Sequence, residues 1–111
     1  MAPPELLKQL EVKKNVIART MKDLQLYRQE ELDERAKVDK LKANNADPYD
    51  IKYAESILQE AVAMVPDAVQ RLRAAHRDLK SFLDSNGAEI STEQLTEGTN
   101  LIQTAVTMSE A

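Results

Sequence analysis

The chain has 111 residues, enough for one modest hydrophobic core, and its 42% hydrophobic residues, 4% aromatics and 2 glycines favour helices over strands. Cysteine is absent, which excludes disulfides, thiolate metal sites and a cysteine nucleophile. The net charge of -4, without a basic cluster interleaved with aromatics, disfavours nucleic-acid binding, and no apolar run approaches the ~20 residues that span a bilayer.

The first predicted helix covers about residues 4–44, because Pro3 and Pro4 suit a first turn and no helix breaker follows within that range. Apolar residues recur along it at heptad positions, namely Leu10, Ile17, Leu24 and Val38. The stripe turns polar at Glu31 and Glu34.

A short turn follows, in which Asn44 and Asn45 suit a helix end. Asp47 is the predicted N-cap of the next helix and Pro48 its first residue. So short a connection sends the second helix back antiparallel to the first.

The second predicted helix, about residues 48–84, has the most regular pattern. One heptad row is Ile51, Leu58, Val65, Leu72 and Leu79, and its companion row is Ala54, Ala61, Ala68, Ala75 and Phe82. A flanking row of Val62, Val69 and Leu83 widens the apolar face, so a third helix is expected to cover it. Pro66 lies in mid-helix, where a proline removes one backbone hydrogen bond, so we predict a kink there.

The third predicted helix, about residues 91–108, starts at a capping box formed by Ser91 and Gln94. Gly98 weakens its intrinsic helicity. Together these elements predict an all-α protein: a single domain, residues 1–111, folded as an elongated antiparallel three-helix bundle with left-handed coiled-coil-like packing.

The sequence contains no set of residues that is typical of a catalytic site. The only histidine, His76, lies at the edge of the apolar face, and Arg73 stands three residues before it, where a di-iron bundle would need Glu. The acidic run at residues 30–34 is interpreted as a solvated ion-pair face. We therefore predict no enzyme, no cofactor and no metal site.

The second helix resembles the tubulin-binding cofactor A family over about thirty residues without gaps. The residues that carry the resemblance are Tyr49-Asp50-Ile51-Lys52, Glu55, Leu58-Gln59-Glu60, Met64, Pro66-Asp67, Arg71-Leu72, Ala75 and Asp78-Leu79. Heptad packing does not require Tyr-Asp-Ile-Lys or Met-x-Pro-Asp, so the match is more specific than a coiled-coil pattern.

The resemblance implies a three-helix chaperone that binds β-tubulin folding intermediates released from the cytosolic chaperonin and holds them for assembly with α-tubulin. Other tubulin-folding cofactors are further candidate partners, the protein is expected to be cytoplasmic and cytoskeleton-associated, and both a monomer and a weak homodimer remain open. The alternative from the heptads alone is a structural coiled-coil adaptor or tethering protein. The tight turn and the wide second-helix face favour intramolecular closure over that alternative.

The resemblance also implies a contact surface on the outer side of the second helix. The candidate β-tubulin-binding residues are Tyr49, Lys52, Gln59, Glu60, Asp67 and Arg71. Our hypothesis is that Arg71, with its basic neighbours Arg73, Arg77 and Lys80, meets an acidic client in a salt-sensitive contact.

Overall fold

The protein is built from three α-helices in a computed structural model that describes residues 2–111. They are α1 (Pro4–Ala43), α2 (Pro48–Asn86) and α3 (Thr92–Glu110), with a 3-10 turn (Gly87–Glu89) between the last two. The predicted all-α, three-helix architecture is confirmed, and the observed helix ends lie within two residues of the predicted ones. No strand occurs among the described residues.

The helices form two compact units. Unit 1 combines the chain up to Lys22 with Val69–Ala111, and unit 2 is Asp23–Ala68. The helical backbone of α2 continues through Pro66 without interruption. The kink expected at this proline and the assignment of the whole chain to a single domain stay predictions.

Unit 1 contains the larger core, to which all three helices contribute. Its buried apolar residues are Leu10, Ile17, Leu72, Ala75, Leu79, Phe82, Leu83, Ile90 and Ala105. All of them except Ile90 and Ala105 belong to the predicted apolar rows of the first two helices. Burying a large aliphatic or aromatic side chain stabilises the fold by about 1.5–3 kcal/mol. The core of this unit therefore supplies the main driving force for α3 to pack on α1 and α2.

Two lysines of α1 connect it to the other helices of unit 1. The Lys13 ammonium lies 2.8 Å from Asp78 of α2 and 5.7 Å from the centre of the Phe82 ring, a cation–π distance. The Lys14 ammonium donates to Glu97 of α3 at 2.9 Å, and this hydrogen bond outweighs partial burial and raises the pKa of Lys14. Such partly exposed pairs contribute at most about 1 kcal/mol each, so they orient the helices more than they hold them together.

Gly98 marks a close approach of α3 to α2. It is buried, and a β-carbon added to it would lie 2.9 Å from Cδ1 of Leu83. The glycine that weakens the intrinsic helicity of α3 thus makes room for the Leu83 side chain.

At the start of the same helix, the predicted capping box is confirmed: Ser91 Oγ accepts from Gln94 N at 3.1 Å, and Gln94 Oε1 accepts from Ser91 N at 3.3 Å.

The turn between α1 and α2 closes α1 with a Schellman motif. Asn45 has φ 53°, in the left-handed region, and its N–H donates to the Lys42 carbonyl at 3.2 Å. The N–H of Ala46 reaches back to the Leu41 carbonyl at 3.0 Å. Asp47 then caps α2 as predicted, because its Oδ1 accepts from the N–H of Tyr49 at 2.8 Å.

Unit 2 is the antiparallel pair of helices on either side of this turn, and its core is thin. Its buried apolar residues are Leu24, Val38, Ala61 and Ala68. Between Leu24 and Val38 no residue of α1 is buried. Glu31 and Glu34 occupy the predicted polar break, with 29% and 22% of their side chains exposed, and they pair with Arg35 and Lys37 of the same helix.

Replacing Asn45 tests the turn. Asn45→Val should lower the free energy of unfolding by about 1–2 kcal/mol, because a β-branched residue is strained at positive φ, whereas Asn45→Gly should retain wild-type stability. Urea unfolding followed by circular dichroism measures both. Equal stability of the valine variant would contradict the assigned turn geometry.

Enlarging Gly98 tests the packing of α3. Gly98→Leu should destabilise unit 1 by about 1–3 kcal/mol, because its side chain overlaps the space that Leu83 fills. Gly98→Ala is the control: Leu83 can move its terminal methyl aside, and the better helix propensity of alanine, about 1 kcal/mol, offsets the adjustment. A leucine variant as stable as the alanine variant in urea would show that the two helices do not approach this closely.

Candidate binding surface

An open groove of unit 2 lies between its two helices. It encloses about 550 Å³, and its walls are Leu41 of α1 with Tyr53, Ala54 and Ile57 of α2. Leu41, Ala54 and Ile57 are only half-buried, so part of their apolar surface remains open to solvent. Two paired helices bury only the apolar residues that lie between them. Because unit 2 has no third helix, the apolar residues that line this groove remain partly exposed.

Charged residues of both signs border the groove. Lys37, Lys40 and Glu34 come from α1, and Asp50 comes from α2. Glu34 and Lys37 pair with each other at 3.2 Å. An apolar floor with a charged border can bury apolar side chains of a partner and orient it through its charges.

Exposed apolar side chains continue from this groove along α2. Tyr53 is 64% exposed, Tyr49 is 83% exposed, and Met64 is 39% exposed. At about 100° per residue, these three positions fall within about 60° of the helix circumference. Single exposed apolar residues are common on protein surfaces, but three on one helix face beside an apolar groove mark a candidate contact surface.

The predicted contact residues lie on the same side of α2. Tyr49, Lys52, Gln59, Glu60 and Asp67 belong to unit 2 and are all exposed. Their positions span about 100° of the helix circumference, so one partner can reach them together. Arg71 is also exposed but belongs to unit 1.

Three basic residues near Arg71 make contacts within unit 1. Arg73 Nη2 donates to the Ser109 carbonyl at 3.2 Å, Arg77 Nε donates to the Arg73 carbonyl at 3.2 Å, and Lys80 pairs with Asp84 at 3.0 Å. Arg73 thus contacts the C-terminal end of α3, whereas Arg77 and Lys80 make contacts within α2. Arg71 is the member of the group that the family signature contains.

The residues that sequence reasoning missed are Tyr53, Ile57 and Leu41. Tyr53 stands four residues after Tyr49, so helical spacing could have added it to the candidate contacts. Ile57 and Leu41 had no such signal, because their half-exposure depends on the helix pair having an uncovered side. Ile51 and Leu58 of the predicted inward stripe are half-buried, while Leu72, Ala75 and Leu79 are buried.

Residues 2–111 contain no group of histidine, cysteine or acidic side chains that could hold a metal ion. The only histidine, His76, is partly buried. Burial, together with the positive charges of Arg77 and Arg73, lowers the pKa of its imidazole from the ordinary value of 6.5. His76 lies beside these arginines, Val106 and Glu110 at a small cavity of about 200 Å³. None of the described helices is long and apolar enough to cross a membrane.

Comparison with known proteins agrees with the architecture. Residues 5–102 match the profile of a family described as tubulin binding cofactor A. The tubulin-specific chaperone A of Gallus gallus is 34% identical over 103 residues, which cover 93% of this chain and 94% of that protein.

Two solved structures have the same fold. The crystal structure of tubulin folding cofactor A from Arabidopsis thaliana superposes with a TM-score of 0.85 and 31% identity, covering 93% of this chain and 97% of that one. The human tubulin chaperone cofactor A superposes with a TM-score of 0.76 and 30% identity, covering 89% and 96%. The chain belongs to the tubulin-binding cofactor A family.

Proposed function

We propose that this protein is a tubulin-folding cofactor that binds β-tubulin folding intermediates released from the cytosolic chaperonin and holds them for assembly of the α/β-tubulin heterodimer. The observation that carries the proposal is the family match over residues 5–102, which includes the whole signature of α2. The names of the relatives support the role in tubulin folding. The choice of β-tubulin and the hand-over from the chaperonin rest on the family resemblance of the signature.

The surface of unit 2 is the main proposed place of contact, and Arg71 of unit 1 is a further candidate contact residue. A folding intermediate exposes apolar side chains that will later be buried, and these are prone to aggregate. The groove at Leu41, Tyr53 and Ile57 would shield such side chains, and the charged residues around it would keep the complex hydrated and reversible. A groove of about 550 Å³ is suited to a few side chains, so the proposed complex holds one segment of the client and does not enclose it.

We further infer a cytoplasmic, cytoskeleton-associated protein that acts as a monomer or weak homodimer, with other tubulin-folding cofactors as further partners.

The choice of β-tubulin as the client can be tested directly. The pure protein is incubated separately with newly released β-tubulin and α-tubulin, and native gels report complex formation. A one-to-one complex with β-tubulin alone supports the proposal; no complex with either, or the same complex with both, contradicts it.

Truncating the two exposed tyrosines tests the surface. Tyr49→Ala combined with Tyr53→Ala should weaken β-tubulin binding by about 2 kcal/mol, roughly thirtyfold, because aromatic contact residues carry a large share of interface energy. The matched control is Val12→Ala with Val16→Ala, which removes two exposed apolar side chains from unit 1. Equal affinity of the tyrosine variant and the control in a titration would place the client elsewhere.

Reversing charge tests the electrostatic part of the contact. Lys52→Glu combined with Arg71→Glu should abolish capture at low ionic strength, and added salt should weaken capture by the wild-type protein, because exposed charges are screened beyond about 10 Å at 0.1 M salt. Lys8→Glu with Arg19→Glu changes the net charge equally at two exposed positions of α1 and should bind normally. If the Lys52 and Arg71 variant still captures β-tubulin, these residues do not meet the client.

A further inference from the structure

Asn86 is the last residue of α2, and its side chain completes the helix end. Its Nδ2 donates to the carbonyl of Phe82, four residues earlier, at 3.0 Å. This side-chain bond ties Asn86 to the carbonyl that lies one helical turn before the end of α2. Asn86 has φ -124° and ψ 6°, so it lies outside helical geometry while still holding the final turn together.

The next residue, Gly87, does not need to be a glycine for structural reasons. No glycine of the described chain has positive φ, and a β-carbon on Gly87 would lie 3.8 Å from Cδ1 of Leu95, an ordinary van der Waals distance. Alanine would therefore fit at this position without strain. A glycine does have one chemical consequence here: without a β-carbon it leaves its backbone nitrogen unshielded beside the Asn86 side chain.

We propose that Asn86 is a site of spontaneous deamidation, in which the backbone nitrogen of Gly87 attacks Cγ of Asn86. The N–Cγ bond forms, the Cγ–Nδ2 bond breaks, and ammonia leaves with the proton that the Gly87 nitrogen gives up, so a cyclic succinimide remains. Water then adds to one of the two carbonyl carbons of the ring. Opening at Cγ gives aspartate, and opening at the main-chain carbonyl gives isoaspartate.

The hydrogen bond to Phe82 controls access to this reaction. It holds the amide against the preceding turn, so the amide must be released before the Gly87 nitrogen can reach Cγ. Terminal helical turns open at low free-energy cost compared with global unfolding. The rate of deamidation therefore measures how often the end of α2 opens in the folded protein.

The product cannot restore the bond that was lost. A carboxylate has no hydrogen to donate to the Phe82 carbonyl, and it places a negative charge at a helix C-terminus, the unfavourable end of the dipole. The last turn of α2 has no basic residue, and Asp84 and Glu89 are close in sequence. Each conversion thus loosens the junction through which α2 leads to α3.

The experiment ages the full-length protein at mildly alkaline pH and follows it by peptide mapping with mass spectrometry. We expect Asn86 to convert to a mixture of aspartate and isoaspartate, the latter labelled by an isoaspartyl methyltransferase. The other asparagines, Asn15, Asn44, Asn45 and Asn100, have larger following residues and serve as internal controls that stay intact. Gly87→Ala should have the wild-type melting temperature and react several times more slowly.

Stability measurements test the consequence. Asn86→Asp should melt at a lower temperature than wild type, while Asn86→Gln keeps a neutral amide and reacts more slowly. The proposal is overturned if folded wild-type protein stays intact while the urea-unfolded chain reacts, or if Gly87→Ala reacts at the wild-type rate. An Asn86→Asp variant with wild-type melting temperature would refute the proposed loosening of the helix end.

Discussion

The fold depends on the antiparallel pairing of α1 and α2, which the short turn at Asn45 makes obligatory. The Schellman motif ends α1, the Asp47 cap begins α2, and only four residues separate the two helices. Once the direction of α2 is set, its heptad rows face those of α1. The third helix then covers the apolar width that remains in unit 1, where Gly98 allows its close approach.

The two units use this pairing differently. In unit 1, α3 adds a third apolar surface, and the core includes large side chains such as Leu72 and Leu79 that are fully buried. Unit 2 has only the two helices, and acidic residues occupy the middle of the α1 stripe. Glu31 and Glu34 there contribute ion pairs of small energy where leucines would contribute burial. Unit 2 thus buries fewer apolar residues, and part of its apolar surface stays uncovered at the groove beside Leu41 and Ile57.

Local rules were enough to predict the elements. Proline, asparagine and capping residues predicted the helix starts and the end of α1, and heptad spacing identified Leu10, Ile17 and Leu24 as core. Such rules fail where the outcome depends on a second helix. In the sequence alone Gly98 indicates only a weak point of α3, because its packing role depends on the position of the Leu83 side chain. The groove at Leu41 and Ile57 could not be predicted either, since periodicity identifies apolar residues but not which of them remain uncovered. The contact roles of Tyr49, Lys52 and Arg71 stay predictions, because they come from the family signature.

The distribution of aromatic residues has a practical optical consequence. The chain has no tryptophan, and its three tyrosines, Tyr27, Tyr49 and Tyr53, all belong to unit 2. Tyrosine emission from the unlabelled protein therefore arises from that unit alone, and two of its three tyrosines lie on the proposed contact face. A tryptophan-containing partner that approached within a few nanometres would quench this emission by energy transfer, so association could be followed without attaching a dye.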